Sequence, residues 1–177
     1  MKTVFVDVDT QIDFMFPAGA LYVPGAERLL PAIARLNRFA LSRGMPLISS
    51  ADAHSENDPE FRQWPPHCVE GTVGQLKAPE TLVGPGQLII EKQVLDVFSN
   101  PVFPAMLDRF QADRYVVYGV ATDYCVRCAL TGLLATGKPV ILVTDAIAAV
   151  KPEEGPRAIA EFTARGGTLM TAGELTQ

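Results

Sequence analysis

A thiol with a proton acceptor and a cation beside it can act as a nucleophile, and this chain carries the three residue types at comparable places. Cys125 stands in Gly119-Val-Ala-Thr-Asp-Tyr-Cys125, between a strand-like run and a helical one. A cysteine at a helix N-terminus feels the positive end of the helix dipole, which favours thiolate, and a nearby lysine lowers the thiol pKa further. A carboxylate can take the thiol proton and later give it to a leaving group. Asp9 follows the first strand-like run and Lys92 ends the third. Both therefore fall where parallel sheets gather their ligands, outside the strands' carboxyl ends. Singly, each has a plainer use: a small buried hydrophobe, a turn residue, a solvated charge. Their joint placement makes Asp9, Lys92 and Cys125 a candidate catalytic set.

A second cluster suits a metal. The only two histidines, His54 and His67, share one short window with Asp52 and Glu60. Two imidazoles with carboxylates fit one divalent ion such as zinc, manganese or iron(II). Asp52 and His54 share a face of an extended segment, and Pro65-Pro66 restrains the backbone before His67. The same residues could be ordinary surface groups. Glu56 and Asp58 are alternative ligands on chemistry alone, and Cys68 is a weaker, softer one. Trp64, the sole tryptophan, and Phe14 either pack in the core or stack on a flat substrate ring. Cys125 and Cys128 also form a Cys-x-x-Cys, the arrangement of thiol-disulfide exchange proteins. Its place after the fourth strand and its lack of a Gly-Pro setting count against that use, and Cys128 is expected on the packed side of the helix.

The elements that must position these groups alternate. Thr3–Val8, Pro46–Ser50, Gln87–Glu91, Arg114–Val120, Pro139–Thr144 and Gly167–Thr171 read as strands; 26–43, 101–111, 124–136 and 153–165 read as helices. Ala26–Arg43 shows the helical stripe best, with Leu29, Leu30, Ile33, Leu36 and Phe39 on one side and Gly44 behind them. The pattern predicts an α/β, three-layer αβα domain with a mainly parallel sheet, its apolar strands buried on both faces. A length of 177 residues suits a single domain, 1–177. The net charge of -5 and pI near 5.0 offer no electrostatic case for nucleic acid or an anionic membrane. No apolar run approaches the roughly 20 residues of a membrane-spanning helix. Acidic residues come too early for a secretory signal, and three cysteines read as reduced thiols, so a cytoplasmic protein is expected.

The motifs resemble one family along nearly the whole chain. Asp9-Thr-Gln-Ile-Asp13-Phe14 is similar to the D-x-Q-x-D-F opening of the isochorismatase-like cysteine hydrolases. Ala18-Gly19 through Pro24-Gly25-Ala26, the Trp64-Pro-Pro-His67-Cys68 loop and Gly119-Val-Ala-Thr-Asp-Tyr-Cys125-Val resemble segments of its nicotinamidase (pyrazinamidase) branch, and Thr171-Ala-Gly-Glu-Leu175 resembles the family's ending. The resemblance implies a six-stranded sheet, a triad of Asp9, Lys92 and Cys125, and metal ligation by Asp52, His54 and His67. Glu60 is the implied fourth ligand, where many nicotinamidases carry a histidine. A cis peptide at Val120–Ala121 is also implied, aiming the Ala121 and Cys125 N–H groups at an oxyanion. Homo-oligomeric relatives, one divalent metal ion and a place in NAD salvage complete the expectation.

The implied reaction is metal-dependent hydrolysis of nicotinamide to nicotinate and ammonia, with Phe14 and Trp64 against the ring. Its rivals are a cysteine hydrolase of another small amide or ureido compound, a non-catalytic ligand-binding module, and a Cys-x-x-Cys redox protein.

Overall fold

The computed structural model describes residues 1–177. Its strands are β1 (Thr3–Val8), β2 (Leu47–Asp52), β3 (Gln87–Lys92), β4 (Arg114–Val120), β5 (Val140–Ala148) and β6 (Thr168–Met170). Its helices are α1 (Ile12–Met15), α2 (Leu30–Ser42), α3 (Val102–Phe110), α4 (Cys125–Ala135), α5 (Gly155–Ala164) and α6 (Ala172–Leu175). The six strands form one sheet in the order β3-β2-β1-β4-β5-β6, and every pairing is parallel. The chain winds outward from β1 to β3, then returns to β4 and winds the other way. The switch point therefore lies between β1 and β4, and Asp9 and Cys125 follow those two strands.

Side-chain alternation along the strands feeds two cores. Phe5, Leu47, Val116 and Tyr118 pack with Ile33, Leu36 and Ala40 of α2. Val4, Val6, Ile48 and Val117 pack with Phe103 and Leu107 of α3, Val126, Leu130 and Leu133 of α4, and Phe162 of α5. Each fully buried side chain of this size contributes roughly 1.5–3 kcal/mol before conformational entropy is charged against it. Burial on both faces holds for β1, β2 and β4. It fails at the edges, where Ile89 of β3 and Leu169 of β6 are exposed.

Three local differences from the sequence expectation have identifiable causes. The α-helix begins at Leu30, because Pro31 supplies no N–H and belongs in a first turn; Ala26–Leu29 is a 3₁₀ turn ahead of it. β2 runs on through Ala51 and Asp52, which pair with Glu91 and Lys92 although they lack an apolar pattern. The closing α6 is held by a capping box, with Thr171 and Glu174 each satisfying the other's backbone. Gly119 matters for the site. Its φ is +113°, and a Cβ there would lie 2.1 Å from the Val8 carbonyl oxygen, so only glycine lets the ends of β1 and β4 approach. The Val120–Ala121 peptide is cis. No helix is long and apolar enough to cross a membrane.

Candidate active site

The carboxyl ends of β1, β3 and β4 bring Asp9, Lys92 and Cys125 together. Asp9 takes a left-handed conformation, φ 49°, just past β1. Its Oδ1 accepts a 2.6 Å hydrogen bond from Ser50 Oγ. Its Oδ2 faces Lys92 Nζ at 2.9 Å, an ion pair out of hydrogen-bond alignment. Lys92 Nζ also donates to Asp52 Oδ1 and lies 3.5 Å from Cys125 Sγ. One buried ammonium thus joins a thiol to two carboxylates, one from each of the two clusters.

Charge states follow from that geometry. Burial pushes the Cys125 thiol well up; Lys92 opposes this and Asp9 adds to it. The expectation of a thiolate favoured by the helix N-terminus is therefore corrected: with the sulfur buried and facing carboxylates, desolvation prevails over the dipole. Burial also raises Asp9, against the pull of Lys92 and with the push of Asp52. Lys92 stays charged, because Asp9, Cys125 and Asp52 outweigh a burial that alone would lower its pKa. Burial thus favours the neutral forms of Cys125 and Asp9, while the facing carboxylates favour the Lys92 ammonium. Two backbone donors nearby are unpaired. The N–H groups of Ala121 and Cys125 have no acceptor, whereas those of Thr122, Tyr124 and Val126 do.

The second cluster borders the first. His54 Nε2 lies 3.7 Å from Asp52 Oδ2, and His67 Nε2 lies 4.0 Å from that oxygen and 4.0 Å from Glu60 Oε1. Ligands held about 2.0–2.2 Å from one ion stand about 3–4 Å apart, so these separations fit a shared cation. The tautomers fit as well. His67 Nδ1 sits 2.8 Å from the Pro65 carbonyl, which can only accept, so Nδ1 carries the hydrogen and Nε2 the lone pair. His54 Nδ1 meets Asp58 Oδ2 at 3.0 Å, and its buried Nε2 has no hydrogen-bond partner. Asp58 is thus behind the histidine, orienting it, and Glu56 is exposed. Burial disfavours the His54 cation, but Asp52 and Asp58 prevail and raise its pKa from 6.5 to about 9. A metal must displace that proton. Affinity of metal-free protein for zinc or manganese should therefore climb with pH toward 9, by up to about tenfold per unit. Calorimetric titrations at pH 6.5, 7.5 and 8.5 read this, and a flat profile would remove His54 from the ligand set.

Both clusters open into one pocket, whose free space including the mouth is about 390 Å³. Phe14 and Trp64 line it, together with Leu21, Val23, Leu95 and Tyr124. Trp64 meets Tyr124 edge to face at 5.2 Å, and Phe14 lies 5.5 Å from the His67 ring. Tyr124 could have been found as the residue before the nucleophile. Leu21, Val23 and Leu95 carried no signal, because an apolar residue in a loop reads as packing.

Several residues hold the site in place. Gln11 Nε2 donates to the Asp52 carbonyl at 2.7 Å, and its Oε1 accepts from the Asp52 N–H at 2.7 Å. Asp13 accepts from the N–H of Cys68, next to His67, and from that of Ala20. Asp123 accepts from the N–H groups of Val150 and Lys151, fixing Val150 on the pocket wall. Cys68 is buried with its thiol pushed far up by desolvation, and its sulfur faces Gly74 O, away from a ligand's role. All three cysteines are free. Cys128 is half-buried and lines an open groove with Leu95, Asp96 and Arg127 instead of packing in the core, because its position on α4 falls beyond the cover of α5.

Comparison with known proteins gives the arrangement a context. The isochorismatase-domain family model matches residues 3–174. The nicotinamidase of Escherichia coli is 29% identical, over 93% of this chain and 92% of that protein. Among solved structures, the pyrazinamidase of Pyrococcus horikoshii in complex with zinc superposes with a TM-score of 0.91 at 30% identity, covering 97% of this chain and 99% of that one. The N-carbamoylsarcosine amidase of Thermoplasma acidophilum gives 0.86 at 27% identity, covering 97% of each.

Proposed function

The chain belongs to the isochorismatase family, and on that premise we propose that it is a metal-dependent cysteine amidohydrolase converting nicotinamide and water to nicotinate and ammonia. The observation that carries this reading is Lys92, which touches Asp9, Asp52 and Cys125, three residues that line one pocket with aromatic walls. The relatives support both the reaction and the substrate.

Asp9 takes the proton of Cys125 as the sulfur attacks the carboxamide carbon, and Lys92 holds the developing negative charge. The Ala121 and Cys125 N–H groups donate to the oxyanion; each such donor is typically worth about 3 kcal/mol of transition-state stabilisation. Protonated Asp9 delivers its proton to the departing nitrogen, and ammonia leaves an acyl thioester on Cys125. Asp9, again a carboxylate, deprotonates a water that attacks the thioester. Nicotinate departs and the thiol is restored. Phe14 and Trp64 hold the ring so that the carboxamide meets the sulfur. Asp52, His54, Glu60 and His67 would hold the divalent ion, which when bound supplies an electrophilic anchor for the ring nitrogen.

The pocket's mostly apolar, aromatic lining suits a flat ring. Asp9, Asp52 and Glu60 face the pocket, and Lys92 is already engaged by two of them. A carbamoyl amino acid has no ring for Phe14 and Trp64 to hold, so the ureido reading comes second despite the amidase neighbour. The test is ammonia release from nicotinamide by protein stripped of metal and then supplied with zinc, manganese or iron(II). Metal-restored release is expected. No release with any metal, from protein whose Cys125 still alkylates, would keep the cysteine hydrolase and discard this substrate.

A further inference from the structure

Asp7 is wholly buried near the carboxyl end of β1, outside the reaction pocket, and four groups converge on it. Its Oδ2 accepts from Lys77 Nζ at 2.9 Å, Asn37 Nδ2 at 2.9 Å and Ser49 Oγ at 3.1 Å, and its Oδ1 accepts from Thr10 Oγ1 at 2.9 Å. Lys77, equally buried, also reaches Thr10 Oγ1 at 2.6 Å. A buried ion pair is a poor way to stabilise a core, since an apolar pair of the same volume often serves as well. What this pair does that an apolar one cannot is grip the hydroxyl of the residue next to Asp9.

That grip falls where the strand's alternation reverses. Phe5 and Asp7 face the α2 layer, meeting Phe39 and Asn37, and a regular strand would send the Asp9 carboxylate to the same side. Instead the left-handed turn at Asp9 brings it to Ser50 Oγ and Lys92, beside Cys125. Left-handed backbone is disfavoured for a residue with a Cβ and needs its surroundings to hold it. Lys77 and Ala78 do so from one segment: the Ala78 N–H donates to the Thr10 carbonyl at 2.8 Å while Lys77 takes the Thr10 hydroxyl.

We infer that Asp7, Lys77 and Thr10 form a positioning element that keeps Asp9 turned toward Cys125. This rests on the amidohydrolase reading for its activity readout, so the test includes one that does not. Thr10→Val keeps the shape and removes the hydroxyl. It should lower kcat for nicotinamide roughly 10- to 100-fold, the scale of a misplacement of about 1 Å, while leaving KM within about threefold and metal content unchanged. Thr10→Ser, which keeps the hydroxyl, should recover most of the lost kcat. The double variant Asp7→Leu with Lys77→Met removes both charges at similar volume, so it separates folding from positioning: stable protein with reduced kcat is expected. Folded Thr10→Val or double variant with wild-type kcat would overturn the inference, as would a Thr10→Ser protein as impaired as Thr10→Val.

Should wild-type protein release no ammonia, the substrate reading fails and the inference is judged on Cys125 alkylation by iodoacetamide, followed by mass spectrometry. Thr10→Val should then react at the rate of Asp9→Asn, and Thr10→Ser at the wild-type rate. Equal rates in all four proteins would sink it.

Discussion

Cys125→Ala is expected to abolish ammonia release, lowering kcat by at least about 10⁴-fold, the scale seen when a covalent nucleophile is removed. The thiol is the only nucleophile in contact with Lys92, and the free N–H groups of Ala121 and Cys125 stand at its own backbone. Loss of one sulfur from a buried site costs on the order of 1 kcal/mol, so the variant should fold and still take up metal. Cys128→Ala is the control. That thiol is half-buried in an open groove, and its variant should keep activity within about twofold. Ammonia release at more than about a hundredth of the wild-type rate by pure Cys125→Ala protein would end the thioester mechanism. Equal losses in both cysteine variants would revive the disulfide-exchange reading.

The second large effect belongs to Lys92→Met. The ammonium separates the Asp9 and Asp52 carboxylates, whose oxygens lie within 4.8 Å of each other. At an effective dielectric constant near 20, two charges about 4 Å apart repel by about 4 kcal/mol, and removing one partner of a buried pair typically costs about 3–5 kcal/mol. Urea unfolding of metal-free protein should show a loss of that size at pH 8. The pH dependence has a definite sign. Burial and Asp52 already raise Asp9 above its ordinary value, and removing Lys92 removes the largest opposing influence. An acid whose pKa is raised by folding binds more protons in the native state, so stability falls as pH rises through the native value. Lys92→Met should therefore recover part of its lost stability as pH falls from 8 toward 5. Turnover should fall by more than about 10³-fold even where the protein is folded, because the negative charge that builds during attack would lose the cation that faces it. A variant of wild-type stability at pH 8 would show that the three groups are not in contact.

Much of the site was legible because chemistry restricts residue type. Asp9, Lys92 and Cys125 could be proposed as a set because each follows or ends a strand, and strands of a parallel sheet end on one edge. Asp52, His54, Glu60 and His67 stood out because few residues bind a borderline cation. The parallel sheet with helices on both faces was legible as an alternation of short apolar runs with helical stripes, and β1 and β4 fell where their Val-rich sequences put them. Strand ends were less so. β2 continues through Ser50, Ala51 and Asp52, whose backbone pairing with β3 outweighs weak local preference.

Three features depended on the assembled molecule. The Cys125 thiol is pushed up by burial, and how much water reaches the sulfur and which charges face it have no local sequence signal. Lys92 couples the two clusters through Asp52, a contact across 40 positions of chain. Asp7 and Lys77 read as a strand residue and a surface charge until packing buries both and turns them on Thr10. The sequence by itself determined which groups are available for chemistry and which edge of the sheet they occupy, because residue type and strand period are local properties. The tertiary structure decided their charge states, their pairing and the turn of Asp9, because burial and Coulomb interaction depend on neighbours that are distant along the chain.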